Sequence, residues 1–221
     1  MKKLLFLATI VLPWAIKRIV LQRWLGYQLH PTARIGLAWI FPNHLVMGPF
    51  SRIDHFSVAI HLDRLELGEE SRIGRGNWIT GFPKNNPKHF QHISDRRPEL
   101  IVGTQSAITK NHHLDCTERI LIGDFVTIAG YGSQFLTHSI DVVANRQDAR
   151  PITIGDYCFI GTDSVVLGGA VLPPRSVLGA KSLLNNEYTD SQQLYAGVPA
   201  KRIKNLPDDA KYFTRETGFV N

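Results

Sequence analysis

Cysteine is scarce in this chain, which has only Cys116 and Cys158 among its 221 residues and contains no CxxC pair. Two cysteines are too few for a disulfide framework of the kind that stabilises small secreted domains. We therefore expect two reduced thiols in a cytoplasmic protein, with a single disulfide between them as the alternative.

A hydrophobic run long enough to cross a membrane is also missing. The apolar stretch from Leu4 to Ile16 is broken by Pro13, and it falls short of the about 20 residues that a membrane-spanning helix needs. Its basic start resembles a signal peptide, but no small-x-small cleavage site follows. Apolar residues interleaved with Lys and Arg suit a helix that lies in a membrane interface. Residues 1–28 are therefore expected to form a helix that either contacts the inner face of the membrane peripherally or packs against the domain or a neighbouring subunit.

The net charge of +6 fits an anionic partner, such as a phosphorylated cofactor, a nucleic acid or a lipid surface. However, the sequence lacks aromatic residues interleaved with a basic stripe, the pattern that single-stranded nucleic-acid binding needs. We therefore expect no nucleic-acid partner.

A six-residue repeat is the strongest pattern that the sequence does contain. Each hexad opens with an aliphatic residue, usually has Gly in second place and has a small residue in fifth place. The clearest run has its aliphatic residues at Ile154, Ile160, Val166, Leu172 and Leu178, and its small residues at Cys158, Ser164, Ala170, Ser176 and Ser182. A helix would repeat at three and four residues instead. The spacing predicts a parallel β-helix in which the aliphatic side chains stack inside, and in which Gly or a polar residue in second place tolerates the corner backbone.

Earlier parts of the chain keep the same phase, with aliphatic positions at Ile35, Met47, Ile53, Leu67, Ile73, Val102, Ile108, Ile122 and Ile128. Two polar stretches interrupt it, at residues 81–99 and 139–151, and we interpret both as loops leaving a coil corner, where function often resides. The expected organisation is a terminal helix over residues 1–28, a β-helix of about six coils over residues 29–204, and a short helical tail over residues 205–221.

These residues resemble the hexapeptide-repeat O-acetyltransferases, a family of left-handed β-helices that includes galactoside, maltose and polysaccharide acetyltransferases. Three segments show the resemblance: the hexads from Ile154, the segment from Phe135 to Asp141, and the closing Ala196-Gly-Val-Pro-Ala-Lys-Arg-Ile. The stretch from Leu114 to Asp141 looks closest to acetyltransferases of polysaccharide biosynthesis. The resemblance implies acetyl-CoA as the co-substrate, a sugar or glycan precursor as the acceptor, a homotrimer with active sites between subunits, and no metal.

By the same resemblance, His138 occupies the position of the general base. Imidazole suits this role because it titrates near neutrality and can take the proton of an attacking hydroxyl. His112 and His113 lie near the positions of substrate-binding residues, with a buried or corner histidine as the alternative. Asp115 is expected to orient an imidazole or bind the acceptor, and Asp141 to pair with His138 or bind the acceptor.

For the co-substrate, the resemblance implies that Thr162 and Ala180, one coil apart, line the pantetheine arm of CoA. It implies that Lys201 and Lys204 lie near the adenosine 3′-phosphate, where a compact ammonium suits a phosphate. Relatives often have Thr-Lys where this chain has Asn185-Asn186, so those two positions are left out of the expected site.

A β-helix of this type can also serve two other functions. A γ-class carbonic anhydrase needs three zinc-binding histidines, two of them spaced HxxxxH, and none of the nine histidines here has that spacing. A non-catalytic β-helix that serves as a scaffold or binding protein remains the alternative to an acyltransferase.

Overall fold

The computed structural model describes residues 9–84 and 88–220, and its core is a left-handed parallel β-helix. Three parallel sheets form the faces of a triangular prism. The first face contains β1 Gln28–Leu29, β4 His44–Met47, β7 Arg64–Leu67, β10 Glu99–Val102, β13 Ile120–Ile122, β18 Ile152–Ile154 and β21 Val171–Leu172.

The second face contains β2 Arg34–Ile35, β5 Arg52–Ile53, β8 Arg72–Ile73, β11 Ala107–Ile108, β14 Thr127–Ile128, β19 Phe159–Ile160, β22 Val177–Leu178, β24 Gln193–Gly197 and β25 Ala200–Asn205. The third face contains β3 Trp39–Phe41, β6 Val58–Ile60, β9 Trp78–Thr80, β12 His113–Asp115, β15 Gln134–Leu136, β20 Val165–Leu167 and β23 Leu183–Leu184. The first and third faces each have seven strands in the described chain, so the prism has seven coils rather than about six.

The hexad pattern is the cause of this fold, and the structure confirms its two main positions. The aliphatic residues that open the hexads point into the prism, where Ile160, Val166 and Leu172 are fully buried. The small fifth-place residues are equally buried, for example Ser164 and Ala170. Each coil therefore adds its aliphatic side chains to one continuous apolar core, and its strands pair with those of the next coil.

The expectation that glycine in second place is needed for the corner backbone is wrong. Positive φ angles occur two places later, at Tyr157 and Asp163 for example, where φ is 56° and 54°. The second-place glycine instead allows successive coils to approach closely, because a Cβ on Gly161 would lie 2.5 Å from the backbone nitrogen of Ala180. The positive φ angles at the corners are thus adopted by non-glycine residues, while glycine is needed where two coils pack closely.

Both ends of the prism are covered. Helix α1, Trp14–Leu25, ends at Gly26 in the left-handed conformation and packs Lys17 and Leu21 against the first coil. The Lys17 ammonium donates a hydrogen bond to the Gly36 carbonyl at 2.7 Å, and burial lowers its pKa to about 8. Residues 1–8, which belong to the expected helix, lie outside the described residues. No helix within the described ranges has the length and apolar character needed to span a membrane.

At the other end, strands β24 and β25 form an antiparallel hairpin on the second face. The helical tail expected after residue 205 is reduced to one 3-10 turn, Lys211–Thr214. The tail packs on the second face, where Tyr212 of this turn donates to the Cys158 carbonyl and, further along, the Gly218 N–H donates to Gln105 Oε1 at 2.6 Å. Cys116 and Cys158 are both buried free thiols.

Two long connections leave the prism at the same corner, between the third and first faces. One runs from the end of β9 to the start of β10 and includes residues 81–84 and 88–98 of the described chain. The other is an antiparallel hairpin, made of β16 His138–Asp141 and β17 Arg146–Ala149, that separates β15 from β18. The second stretch, expected as a loop, is therefore mostly strand.

Candidate active site

His138 is the first residue of the protruding hairpin, one residue past the buried Thr137. The Thr137 hydroxyl donates to the Asp115 carbonyl at 2.7 Å and accepts from the Glu118 N–H at 2.9 Å, which fixes the base of the hairpin. On the next coil, a Cβ at Gly168 would lie 2.7 Å from the Thr137 carbonyl oxygen. Glycine there leaves the space through which the hairpin exits, so the position of His138 is set by rigid coils rather than by a mobile loop.

Asp115 is the carboxylate beside His138. Its Oδ2 lies 3.7 Å from His138 Nδ1, while its Oδ1 accepts from the Thr117 hydroxyl at 2.6 Å and from the Thr117 N–H at 3.0 Å. One oxygen is thus anchored and the other faces the imidazole. A carboxylate in this position favours the tautomer with the proton on Nδ1, which leaves the Nε2 lone pair free to accept a proton.

The Nε2 atom of His138 is buried and has no hydrogen-bond partner among the described residues. Phe90, from the connection between β9 and β10, packs edge-to-face on the imidazole with ring centroids 5.5 Å apart. A buried polar atom without a partner is uncommon and marks a place where a ligand group can bind. The geometry presents a base with an empty acceptor position next to an apolar wall.

Arg96 holds that wall in place, and sequence reasoning missed its role although it lies in the expected loop. Its buried guanidinium donates to the carbonyls of Phe82, Pro83 and Thr117, at 2.7, 2.9 and 2.5 Å, and lies 4.6 Å from the Phe90 ring centroid. Burial lowers the pKa of Arg96, and nearby carboxylates, led by Glu118, oppose this effect. An arginine shared among three carbonyls ties the connection to the coil below His138.

A cleft of about 440 Å³ separates this connection from the hairpin. It is lined by residues 88–92 on one side and by Ile140 and residues 145–147 on the other. Phe90 belongs both to this lining and to the wall on His138, so its ring lies between the cleft and the imidazole, which does not itself line the cleft.

Asp141 does not pair with His138. Its Oδ1 accepts from the N–H groups of Val143 and Ala144, both at 3.0 Å, and its Oδ2 lies 3.8 Å from Arg146 Nε. These contacts, first among them the Ala144 N–H, lower the pKa of Asp141. Asp141 therefore shapes the hairpin turn, and Asp115 takes the position beside the imidazole.

The two neighbouring histidines have different surroundings. His112 is buried; its Nε2 lies 2.9 Å from the Thr109 hydroxyl and its Nδ1 accepts from the Ser133 N–H at 3.2 Å. Burial lowers the pKa of His112 to about 4, only partly opposed by Asp163. With both ring nitrogens used inside the protein, His112 corresponds to the buried alternative rather than to a substrate contact. His113 starts β12 and is half-buried on the outer side of the third face.

The expected CoA positions lie at a different corner, between the second and third faces. Ile160 pairs with Leu178, so Thr162 and Ala180, two residues further along, occupy equivalent positions on successive coils. The Thr162 hydroxyl donates to the Tyr131 carbonyl at 2.9 Å, and Ala180 is exposed. Lys201 and Lys204 are exposed on β25, beyond the last coil.

His138 and the Thr162–Ala180 positions therefore lie at opposite edges of the third face. Leu136, two residues before His138, pairs with Leu167 on the next coil. Thr162 precedes Leu167 by about five residues, which cross the whole third face. At ~3.3 Å per extended residue, this separation is roughly 15 Å. Within one chain, His138 is therefore too far from Thr162 and Ala180 for direct contact.

No family model matches the chain. A curated relative, the carnitine operon protein CaiE of Escherichia coli, is 32% identical over 63 residues, which is 28% of this chain and 32% of CaiE. The matched region therefore spans about a third of the length of that relative.

The solved structures give a broader match. The hexapeptide-repeat acetyltransferase VCA0836 from Vibrio cholerae has 26% identity and a TM-score of 0.51, covering 64% of this chain and 74% of that chain. The same acetyltransferase complexed with acetyl coenzyme A matches at 22% identity and a TM-score of 0.50, covering 92% of this chain and 84% of that one. The polysialic acid O-acetyltransferase OatWY has 14% identity and a TM-score of 0.59, covering 81% and 84% of the two chains. The structural neighbours thus include hexapeptide-repeat acetyltransferases, and the predicted resemblance to hexapeptide-repeat acetyltransferases is confirmed together with the fold.

Proposed function

We propose that this chain is an acetyl-CoA-dependent O-acetyltransferase that acetylates a hydroxyl of a sugar or of a surface-polysaccharide precursor, with His138 as the general base. The observation that carries the proposal is the His138 imidazole, whose Nδ1 faces Asp115 while its buried Nε2 has no partner in the described chain. The acetyltransferase neighbours support the reaction type, and a polysialic acid O-acetyltransferase among them supports a glycan acceptor.

The reaction needs no enzyme nucleophile. His138 Nε2 takes the proton of the acceptor hydroxyl as its oxygen attacks the thioester carbonyl carbon of acetyl-CoA. The tetrahedral intermediate then breaks its carbon–sulfur bond, and the imidazolium returns the proton to the departing thiolate. The products are the acetyl ester and free CoA. Asp115 stabilises the imidazolium that forms between these steps and so acts as a positioning residue.

Acetyl-CoA is proposed to lie along the corner of Thr162 and Ala180, where the exposed Ala180 leaves space for the pantetheine arm. The exposed Lys201 and Lys204 lie one strand beyond this corner, at a suitable end for the CoA phosphates. VCA0836 in complex with acetyl-CoA supports this co-substrate.

The separation of His138 from the Thr162–Ala180 corner supports a homotrimer. Because the two groups lie at opposite edges of one face, the reaction needs His138 of one subunit beside the acetyl-CoA corner of the next. A closed ring of identical chains places every such pair in the same relation.

The acceptor is proposed to bind in the cleft between residues 88–92 and the hairpin, beside Phe90 and His138. Asp115 lies beside His138, Asp141 and Arg146 lie on the hairpin side of the cleft, and the half-buried His113 lies on the same face as Asp115. His112 is assigned a structural role, since both its ring nitrogens are already used.

We further propose a cytoplasmic protein that contacts the inner face of the membrane through residues 1–28. Helix α1 exposes Ile16, Ile19 and Trp24 to solvent. No Asp or Glu precedes Asp54 in the sequence, whereas Lys and Arg occur at positions 2, 3, 17, 18, 23, 34 and 52. An apolar helix face within a cationic end of the molecule suits an anionic lipid surface.

The proposed function is tested by isothermal titration of acetyl-CoA and desulfo-CoA into the wild type and into a Lys201→Ala/Lys204→Ala variant. We expect binding to the wild type and weaker binding to the variant. A screen of sugar acceptors for thiol release then follows, with His138→Ala as the inactive control. A folded wild type that does not bind acetyl-CoA would favour the non-catalytic scaffold instead.

A further inference from the structure

A second cavity, of about 910 Å³, lies on the outer side of the second face, away from His138. Three basic side chains line it, from Arg72, Arg75 and Lys110, and its floor contains the small residues Gly74 and Gly130. The extended end of the tail, residues 218–220, forms one of its walls. Nothing in the proposed reaction so far uses this cavity.

The strand register places this cavity in line with the proposed path of acetyl-CoA. On the second face, Ile73, Ile108, Ile128, Ile160 and Leu178 pair in succession. The residues two places after them therefore stack as one corner column, formed by Arg75, Lys110, Gly130, Thr162 and Ala180. Arg75 and Lys110 continue the column of Thr162 and Ala180 on earlier coils, at a spacing of ~4.8 Å per coil.

Within the described residues, the charge in this cavity is only partly neutralised. Arg72 is paired with Asp54 at 2.5 Å, so these two charges compensate each other. Arg75 and Lys110 are exposed, and neither forms an ion pair with another residue of the described ranges. Two cations on adjacent coils therefore face the cavity without a carboxylate partner in the part of the chain that the structure describes.

At the coil between Lys110 and Thr162 the column carries no side chain, because the residue there is Gly130, which packs closely on Thr162. A Cβ on Gly130 would lie 2.5 Å from Thr162 Cβ, and its φ of 71° also disfavours other residues. A ligand can therefore run along the column from Thr162 toward Lys110 without meeting a side chain at the intervening coil.

The tail that walls the cavity is held firmly. The Arg215 guanidinium lies 3.9 Å from the Tyr212 ring centroid and donates to the Phe125 carbonyl. The Gly218 N–H then donates to Gln105 Oε1 at 2.6 Å, which sets the final residues beside Lys110 and Arg75. The cavity is thus a built feature of the chain, closed on one side by its own C-terminal segment.

We propose that this cavity is an anion subsite in which Arg75 and Lys110 bind the phosphate or diphosphate group of the acceptor. The proposal rests on the proposed function, because it assumes that the thioester of acetyl-CoA lies near Gly130 and that the acceptor extends from there along the same column. Arginine binds phosphate through two parallel N–H groups, and lysine adds a point charge. Cations on successive coils match two linked phosphates, so the substrate class is a sugar carried on a diphosphate.

The test uses inorganic pyrophosphate as the probe, titrated calorimetrically into the full-length protein at low ionic strength. An Arg75→Ala/Lys110→Ala variant is expected to lose at least about tenfold in pyrophosphate affinity, since each removed contact is a charge-assisted hydrogen bond. Arg23→Ala/Lys211→Ala is the matched control, because it removes the same charge from two exposed residues outside the cavity and is expected to bind pyrophosphate as the wild type does.

Equal pyrophosphate affinity in the two double variants overturns the subsite. So does affinity that is lost in Lys201→Ala/Lys204→Ala and retained in Arg75→Ala/Lys110→Ala, since the anion would then bind at the other end of the column. Acetyl-CoA binding is measured separately on each variant. If the protein binds pyrophosphate through Arg75 and Lys110 but does not bind acetyl-CoA, the subsite is supported and the proposed acetyl transfer is rejected.

Discussion

Replacing Asp115 by Asn tests how much the carboxylate contributes to proton transfer by His138. The change keeps the shape of the side chain and the acceptor oxygen that Thr117 binds at 2.6 Å, but it removes the negative charge 3.7 Å from the imidazole. Two unit charges about 4 Å apart attract by about 4 kcal/mol at the effective dielectric of about 20 found near protein surfaces. The His138 and Asp115 side chains are 33% and 17% exposed, so solvent screens part of this attraction.

Allowing for this screening, we expect the imidazolium to lose about 2 kcal/mol of stabilisation, which lowers kcat roughly 30-fold. The KM for acetyl-CoA and the melting temperature should stay unchanged, because the carboxylate does not face the proposed CoA column and the Thr117 hydrogen bonds remain available.

The assay follows thiol release from acetyl-CoA with a saturating acceptor, and Asp190→Asn, an exposed carboxylate near the C-terminal hairpin, is the matched control. An Asp115→Asn enzyme with wild-type kcat would refute the positioning role. A rise in KM at constant kcat would refute it as well, because Asp115 would then bind substrate rather than act through His138.

Three further predictions concern the surroundings of the site and the N-terminal helix. The pKa of His112 is lowered to about 4 in the folded chain, against about 6.5 when unfolded, so its contribution to stability is complete above pH 6.5 and declines as the pH falls from 6.5 to 4. Between pH 7 and pH 5, the free energy of unfolding measured in urea should therefore fall more for the wild type than for His112→Gln. An equal fall in both proteins would contradict this prediction. Arg96→Met should lower kcat at least about tenfold and also lower the melting temperature, because three carbonyls lose a charged hydrogen-bond donor. An unchanged kcat together with an unchanged melting temperature would contradict the role of Arg96 in holding Phe90 against His138. Ile19→Ser/Trp24→Ala should reduce co-sedimentation with anionic phosphatidylglycerol vesicles about tenfold, with neutral phosphatidylcholine vesicles as the control, and undiminished co-sedimentation would argue against the membrane contact.

The fold was predictable because the hexad pattern indicates which side chains point into the prism and which residues stack on successive coils. Once Ile154 and Ile160 are identified as interior positions, the number of residues per coil fixes which residues stack, and Thr162 and Ala180 follow by counting. The strand register then places Asp115 beside Leu136, two residues before His138. Sequence reasoning considered Asp115 and Asp141 together, but only the strand register separates them.

The parts that leave the prism could not be predicted in this way. Phe90 and Arg96 belong to a connection without a repeat, and their positions depend on contacts with distant residues such as Thr117 and His138. The hairpin from His138 to Ala149 was expected as a loop because its alternating pattern is short and polar. Long-range contacts of single side chains have no local periodicity, and therefore no local sequence signal identifies them.

The same contrast explains why one face of a regular prism can serve a reaction between two different molecules. The corner of Thr162 and Ala180 is built entirely by the repeat, so it offers a straight column along which an extended cofactor can lie. The corner of His138 is built by the two departures from the repeat, which supply a base, a wall and a cleft in place of a column. Because these corners lie at opposite edges of one face, the proposed reaction would combine the corners of two different chains. Adding one coil to the prism would lengthen the column, whereas a change in the connections would alter the cleft beside Phe90; we infer that recognition of the sugar part of the acceptor resides in residues 81–84, residues 88–98 and the hairpin.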